Sequence, residues 1–148
     1  MDTPLAYSPD GSQLLIDRAD PSRGSVHALF VAPISGGQPH QITPWGLTDD
    51  YASWSSDGRT IVFGTGGSLY RVSPDGQGLA KISLQLLDGS SGGTAFDVAF
   101  SPDGRRIVFS LGGPEPGIYS ANLDGSDVKQ LTTGPTDGHH ANWGPAVG

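Results

Sequence analysis

The 148-residue chain contains no cysteine. That excludes disulfides, thiolate metal sites and thiol chemistry, and it fits an exported or a cytosolic protein equally. Basic residues are also scarce: Lys and Arg total 8 against 15 Asp and Glu, for a net charge of −7. Arg105-Arg106 is the only adjacent basic pair, whereas nucleic acid and anionic membrane surfaces require clustered positive charge. No apolar run reaches the ~18 residues of a membrane-spanning helix, and no window carries a 3.6-residue apolar period. No nucleic-acid partner and no membrane insertion are expected. Turn residues, by contrast, are plentiful: 23 glycines and 12 prolines, most of them at recurring positions.

That recurrence has a period. FDVAFSPDGRRIVFS (96–110) reappears in altered form as YASWSSDGRTIVFG (51–64) and LAYSPDGSQLLID (5–17), and the aromatic before each turn falls at Tyr7, Trp54, Phe100 and Trp143, at intervals of 47, 46 and 43 residues. A second signature aligns without gaps over 17 columns: HALFVAPISGGQPHQIT (27–43), GSLYRVSPDGQGLAKIS (67–83) and PGIYSANLDGSDVKQLT (116–132). Each unit holds four short runs rich in β-branched and aromatic residues, separated by Gly, Pro, Ser and Asp. In Ser-Pro-Asp-Gly, Pro fixes φ, Asp caps locally and Gly accepts φ > 0, so Gly104 is predicted to take a left-handed conformation. Four antiparallel strands at this repeat length describe a β-propeller blade. The fold class is therefore all-β, with three blades at about 4–43, 51–83 and 96–132 and a trailing inner strand at 140–144.

The succession aromatic-Ser-Pro-Asp-Gly, Ile-Val-Phe, Ile/Leu-Tyr, Asp-Gly and Leu-Thr resembles the TolB-type propeller repeat, a relative of the WD repeat. Ser56 replaces the turn proline, Ser35 replaces the Asp of the second hairpin of the first unit, and Gly144-Pro145-Ala146-Val147 replaces the last turn. The resemblance implies a six-bladed, exported protein, periplasmic or extracellular, although Met1-Asp2-Thr3-Pro4 shows no signal-peptide pattern. Three blades are fewer than the roughly four to eight that close a ring. Hence the chain is expected to be part of a longer propeller or to pair with a second copy, giving six blades. The apolar faces left free in the end blades are expected at Leu14 and Ile16 in the first and at Ile107 and Phe109 in the third.

In such a blade the A–B and C–D turns share one face and the B–C and D–A loops the other. From strand B to the strand-C aromatic the spacing is 14, 7 and 10 residues, and from strand D to the next strand-A aromatic 11, 17 and 11. Length variation thus collects on the B–C/D–A face, the usual place for a binding surface in repeat proteins. The segments 17–27 and 84–97 carry it. At the mouth of the central channel the spacing places Asp49, Asp50, Tyr51, Asp97, His139 and His140. These residues can meet a cation, a peptide amino terminus or a basic side chain, or form a solvated rim. Trp45 lies off the core columns and is a candidate contact. Tyr7, Trp54, Phe100 and Trp143 are expected between blades.

Catalytic readings are thin. Gly89-Ser90-Ser91-Gly92-Gly93 has the glycines of a nucleophile elbow, but a strand follows it where the elbow needs a helix. Asp137 and His139-His140 suggest metal ligands, yet adjacent residues on a strand point to opposite faces. No catalytic residue, metal or cofactor is assigned. The expected role is a non-enzymatic scaffold binding a protein or peptide. The alternatives are a gating propeller of a prolyl-oligopeptidase-like serine peptidase, or a lactonase- or lyase-like propeller with a channel metal.

Overall fold

The computed structural model describes residues 1–24, 26–47, 51–86 and 93–133. Among these residues twelve strands form three four-stranded antiparallel sheets, each in simple sequence order. The first comprises β1 (Asp2–Tyr7), β2 (Gln13–Asp20), β3 (Val26–Pro33) and β4 (His40–Gln41). The second comprises β5 (Ala52–Trp54), β6 (Ile61–Thr65), β7 (Ser68–Val72) and β8 (Ala80–Lys81). The third comprises β9 (Thr94–Phe100), β10 (Arg106–Gly112), β11 (Gly117–Asn122) and β12 (Lys129–Gln130). These are propeller blades. The outermost strands are only two residues long, each extended by one further bond such as Ile82 N–H to Leu69 O, so little open edge is offered.

Each Ser-x-Asp-Gly turn is closed by its own side chains. The Ser8, Ser55 and Ser101 hydroxyls donate to Asp10, Asp57 and Asp103 at 2.6–2.7 Å, and accept the backbone N–H five residues on at 2.9–3.0 Å. The aspartates in turn accept the N–H of Ser12, Arg59 and Arg105 at 3.0 Å. Gly104 takes φ 70°, as the turn chemistry requires. Proline at the second turn position is dispensable, because Ser56 leaves these bonds intact.

The core lies between sheets. Leu15, Leu29, Val31 and Ile42 of the first sheet pack against Trp54, Ile61, Phe63 and Val72 of the second. Val62, Leu69 and Ile82 face the other way, onto Phe100, Ile107, Phe109, Leu111 and their neighbours in the third. The Ile-Val-Phe run of β6 is apolar throughout because both of its faces are covered. The first strands adjoin one another along the inside of the arc, and the Phe100 N–H reaches Ser53 Oγ at 3.4 Å.

Two packing expectations are corrected. Tyr7 is 66% exposed, while its counterparts Trp54 and Phe100 are buried in the clusters that their sheets share with the first and second sheets. Ile107 and Phe109 are fully buried against the second sheet. In the third sheet the free apolar face is therefore not where the sequence placed it, whereas Leu14 and Ile16 of the first do lie on the face turned away from the second sheet. In the first sheet Ile16 and Phe30 are also buried, in a cluster with Leu14 and Trp45, and the Arg18 guanidinium lies 4.5 Å from the Phe30 ring centre.

Candidate functional site

The B–C/D–A face is built differently at each blade. In the first, the extra residues are not a slack loop. β2 and β3 remain paired out to Asp20 and Val26, and the tip is a 3-10 turn over Pro21–Arg23. Asp20 caps it by accepting from the Ser22 N–H and hydroxyl at 3.0 and 2.6 Å. In the second blade a tight Gly66-Gly67 turn joins β6 to β7. The long connection after β8 begins with Leu84 and Leu86, both packed onto the core between the second and third sheets.

Beside those leucines is a cleft of about 220 Å³. Gly67 and Ser68 form one side, Lys81, Leu84 and Leu86 another, and Ala95 and Leu111 the third. Lys81 is exposed at β8, so a largely apolar hollow carries one cationic group. Backbone fit shapes its wall: a Cβ at Gly93 would fall 2.6 Å from Leu111 Cδ1.

The channel-mouth residues divide. Asp49, Asp50, His139 and His140 lie outside the described residues, as do Asp137, Ser90, Ser91 and Trp143. Tyr51 and Asp97 stand three residues before Trp54 and Phe100, the first just ahead of β5 and the second within β9, and neither is free of partners. Tyr51 is half-buried. Asp97 is only 4% exposed, so it is not part of a solvated rim. It sits at a β-bulge with φ 52°, where the pairing of β9 with β10 shifts register. Asp tolerates that conformation better than most residues.

Trp45 is half-buried and turned onto the first sheet. Its ring centre is 5.8 Å from that of Phe30, and the Arg23 guanidinium lies 5.8 Å from its centroid. It covers apolar surface and leaves part of the indole accessible, a mixed role of packing and contact.

Two arrangements were not anticipated. Asp17 is buried on the β2 face that meets the second sheet, and its Oδ2 lies 2.5 Å from Nδ1 of the half-exposed His27. A charged residue ending the run Leu-Leu-Ile-Asp at an inward position was the available signal. Arg106 is the second. Its guanidinium bonds Asp127 Oδ2 (2.7 Å), the Asp127 carbonyl (2.9 Å), Ser120 Oγ (3.0 Å) and Asn122 Oδ1 (3.2 Å). The Arg106 pairing, followed by Lys129, holds the Asp127 carboxyl below its ordinary value. One half of the basic pair is therefore consumed internally. Among the described residues no group of three or more His, Cys, Asp or Glu is gathered for a metal ion.

No protein-family model and no curated protein matches the chain. Solved structures do. The fold is similar to that of a protein assigned as TolB from Agrobacterium tumefaciens, with 22% identity and a TM-score of 0.76 over 97% of this chain and 54% of that one. It is similar to TolB from Acinetobacter baumannii, with 22% identity and a TM-score of 0.67 over 88% of this chain and 32% of that one. An oligogalacturonate lyase solved in complex with manganese is similar at 19% identity and a TM-score of 0.61, over 90% of this chain and 41% of that one. The chain spans about half the length of the first of these and about a third of the second. At such identities the likeness is one of fold, and the fold is that of TolB-type propellers.

Proposed function

We propose that this chain is a non-enzymatic propeller module that binds a protein or peptide through the B–C/D–A face. The observation that carries this reading is the cleft between the second and third sheets. Its leucine, alanine and glycine walls suit an apolar side chain, and Lys81 beside them suits a neighbouring carboxylate. The long connection after β8 supplies Leu84, Leu86 and Gly93 to its lining, which is how repeat scaffolds acquire a ligand while the sheets stay constant. Peptides selected from a random library on the immobilised chain test it. Their affinity should fall about tenfold or more with Lys81→Glu or Leu86→Ala, since few contacts carry most of the binding energy. Peptides indifferent to both substitutions refute the assignment.

Further blades beside the end sheets, from a second copy or from the remainder of a longer chain, belong to the same reading on narrower ground than the sequence suggested. Within the chain the turn glycines of each blade meet the blade before it: a Cβ at Gly58 would lie 3.7 Å from Pro9, and one at Gly76 would lie 3.4 Å from Ile42. The corresponding Gly11 and Gly36 of the first blade face open space. Light scattering should give twice the chain mass if copies pair; a monomer across the micromolar range argues against pairing.

A further inference from the structure

On the opposite face, where the A–B turns lie, the seam between the first and second sheets opens into a cleft of about 240 Å³. Its walls are Ser8, Pro9, Asp10 and Gln13 from one turn and Ser56, Asp57 and Gly58 from the next, with Trp54 completing the lining. The hollow is smaller than the roughly 300–1,000 Å³ of drug-sized ligand sites, so it fits a side chain and its backbone. Two features give it a chemical preference. Asp10 and Asp57 are exposed carboxylates on either side, and each uses Oδ1 within its own turn. Independently, Trp54 is 8% exposed and its indole Nε1 is buried with no hydrogen-bond partner. A buried donor left unpaired is costly, and such groups in native proteins call for a reason.

The repeat supplies an internal comparison. At the next seam Phe100 takes the place of Trp54, so the donor is gone. The turn contact also differs there: a Cβ on Gly104 would fall 3.0 Å from Ser56 Oγ, whereas one on Gly58 would lie 3.7 Å from Pro9 Cδ. The fold therefore does not require an indole at this position, and the first seam has one lining its cleft.

We propose that this cleft is a second binding site, for a cationic side chain of a peptide: a Lys or Arg whose ammonium or guanidinium lies between Asp10 and Asp57 while the Trp54 ring turns its buried Nε1 to an adjoining backbone carbonyl. The two carboxylates remain ionised to low pH. The Ser12 N–H, with the Ser8 and Ser12 hydroxyls, lowers Asp10 to about 2, and the Ser55 hydroxyl and Arg59 N–H lower Asp57. Arg59 is the nearby competing cation; it acts on Asp57 but does not line the cleft.

The experiment is a titration of the nitrogen-15-labelled chain with acetyl-arginine N-methylamide, followed by the Trp54 indole N–H resonance, which Trp54→Phe identifies by its loss. A saturable shift is expected. The neutral acetyl-norleucine N-methylamide should bind about tenfold or more weakly, as should the charged probe to Asp10→Asn/Asp57→Asn, because charge-assisted bonds are lost. Asn keeps the Oδ1 acceptor that closes each turn, and if the double variant does not fold, the two probes on the parent chain decide. An unmoved indole resonance, equal response to the neutral probe, or the same shift with calcium chloride alone would overturn the proposal. The cleft lies on the face opposite Lys81 and Leu86, so neither result bears on the site proposed above.

Discussion

Replacing Gly36, Gly76 and Gly125 by alanine, one at a time, measures how tightly successive blades approach. The three occupy the same column of the repeat and have nearly the same φ: 90°, 85° and 87°. What differs is the neighbour. A Cβ on Gly36 meets nothing within 4 Å; on Gly76 it would lie 3.4 Å from Ile42 Cα; on Gly125 it would fall on the Ser83 carbonyl oxygen, 2.6 Å from its carbon. Gly36→Ala therefore isolates the left-handed strain, roughly 1–2 kcal/mol, offset by the ~0.4–1 that alanine gains through a less flexible unfolded chain. Gly76→Ala should match it, since its contacts are ordinary. Gly125→Ala adds overpacking of about 1–3 kcal/mol. It also disturbs the bond from the Gln85 N–H to the Gly125 carbonyl at 2.8 Å, worth about 0.5–1.5 kcal/mol. The expected losses are thus about 1, 1 and 3–5 kcal/mol. Urea unfolding at constant slope gives them from the shift in midpoint. Three equal losses would refute the close approach of the third blade to the strand end of the second.

Other outcomes follow from the same geometry. Arg106→Ala should cost about 1–2 kcal/mol, and Arg106→Lys should restore little because a single ammonium cannot span the four acceptors; Arg105→Ala should stay within about 0.5. Equal effects of the two alanine changes in thermal melts would deny the network. Asp97→Val should be less stable than Asp97→Gly by roughly 1–2 kcal/mol, both lacking the carboxylate, because only valine is strained at φ 52°; the reverse order would remove the bulge. Turn hydrogen bonds depress Asp10, Asp57 and Asp103, led at Asp10 by the Ser12 N–H and at the other two by the Ser55 and Ser101 hydroxyls. Depressed carboxylates stabilise the fold above their unfolded value near 3.9, and that contribution is lost as pH falls through the folded value. The melting temperature should therefore drop from about pH 4 towards 2, and a triple Asp→Asn variant should show a shallower drop; an unchanged acid slope would contradict the assignment.

The fold was legible because its signals are local. Each Ser-x-Asp-Gly turn closes its bonds within five residues, so the text of the turn carries its geometry. What was not legible depends on partners distant in the chain. Tyr7 reads like Trp54, yet only Trp54 meets residues of another sheet. Asp97 reads as a rim carboxylate, because nothing in Phe-Asp-Val-Ala-Phe announces a positive φ inside a strand. Asp17 and His27 meet across strands, and Arg106 finds Asp127 from 21 positions away. The unequal B–C spacing located the extra residues but not their form: in the first blade they became longer paired strands rather than a free loop.

The self-contained turns also set an order of events during folding. A turn whose donors and acceptors all lie within five residues closes early, since short loops cost little entropy and form quickly. The seams are another matter: the bond from Phe100 to Ser53 spans 47 residues. Hairpins are thus available as preformed pieces while the chain is still being made, and the slow, shared step is bringing one finished blade onto the next. Unfolding runs the same way in reverse. Opening a seam uncovers Phe63 or Phe109 at once, so structure is lost a blade interface at a time, and a lone hairpin set has no apolar shelter to return to.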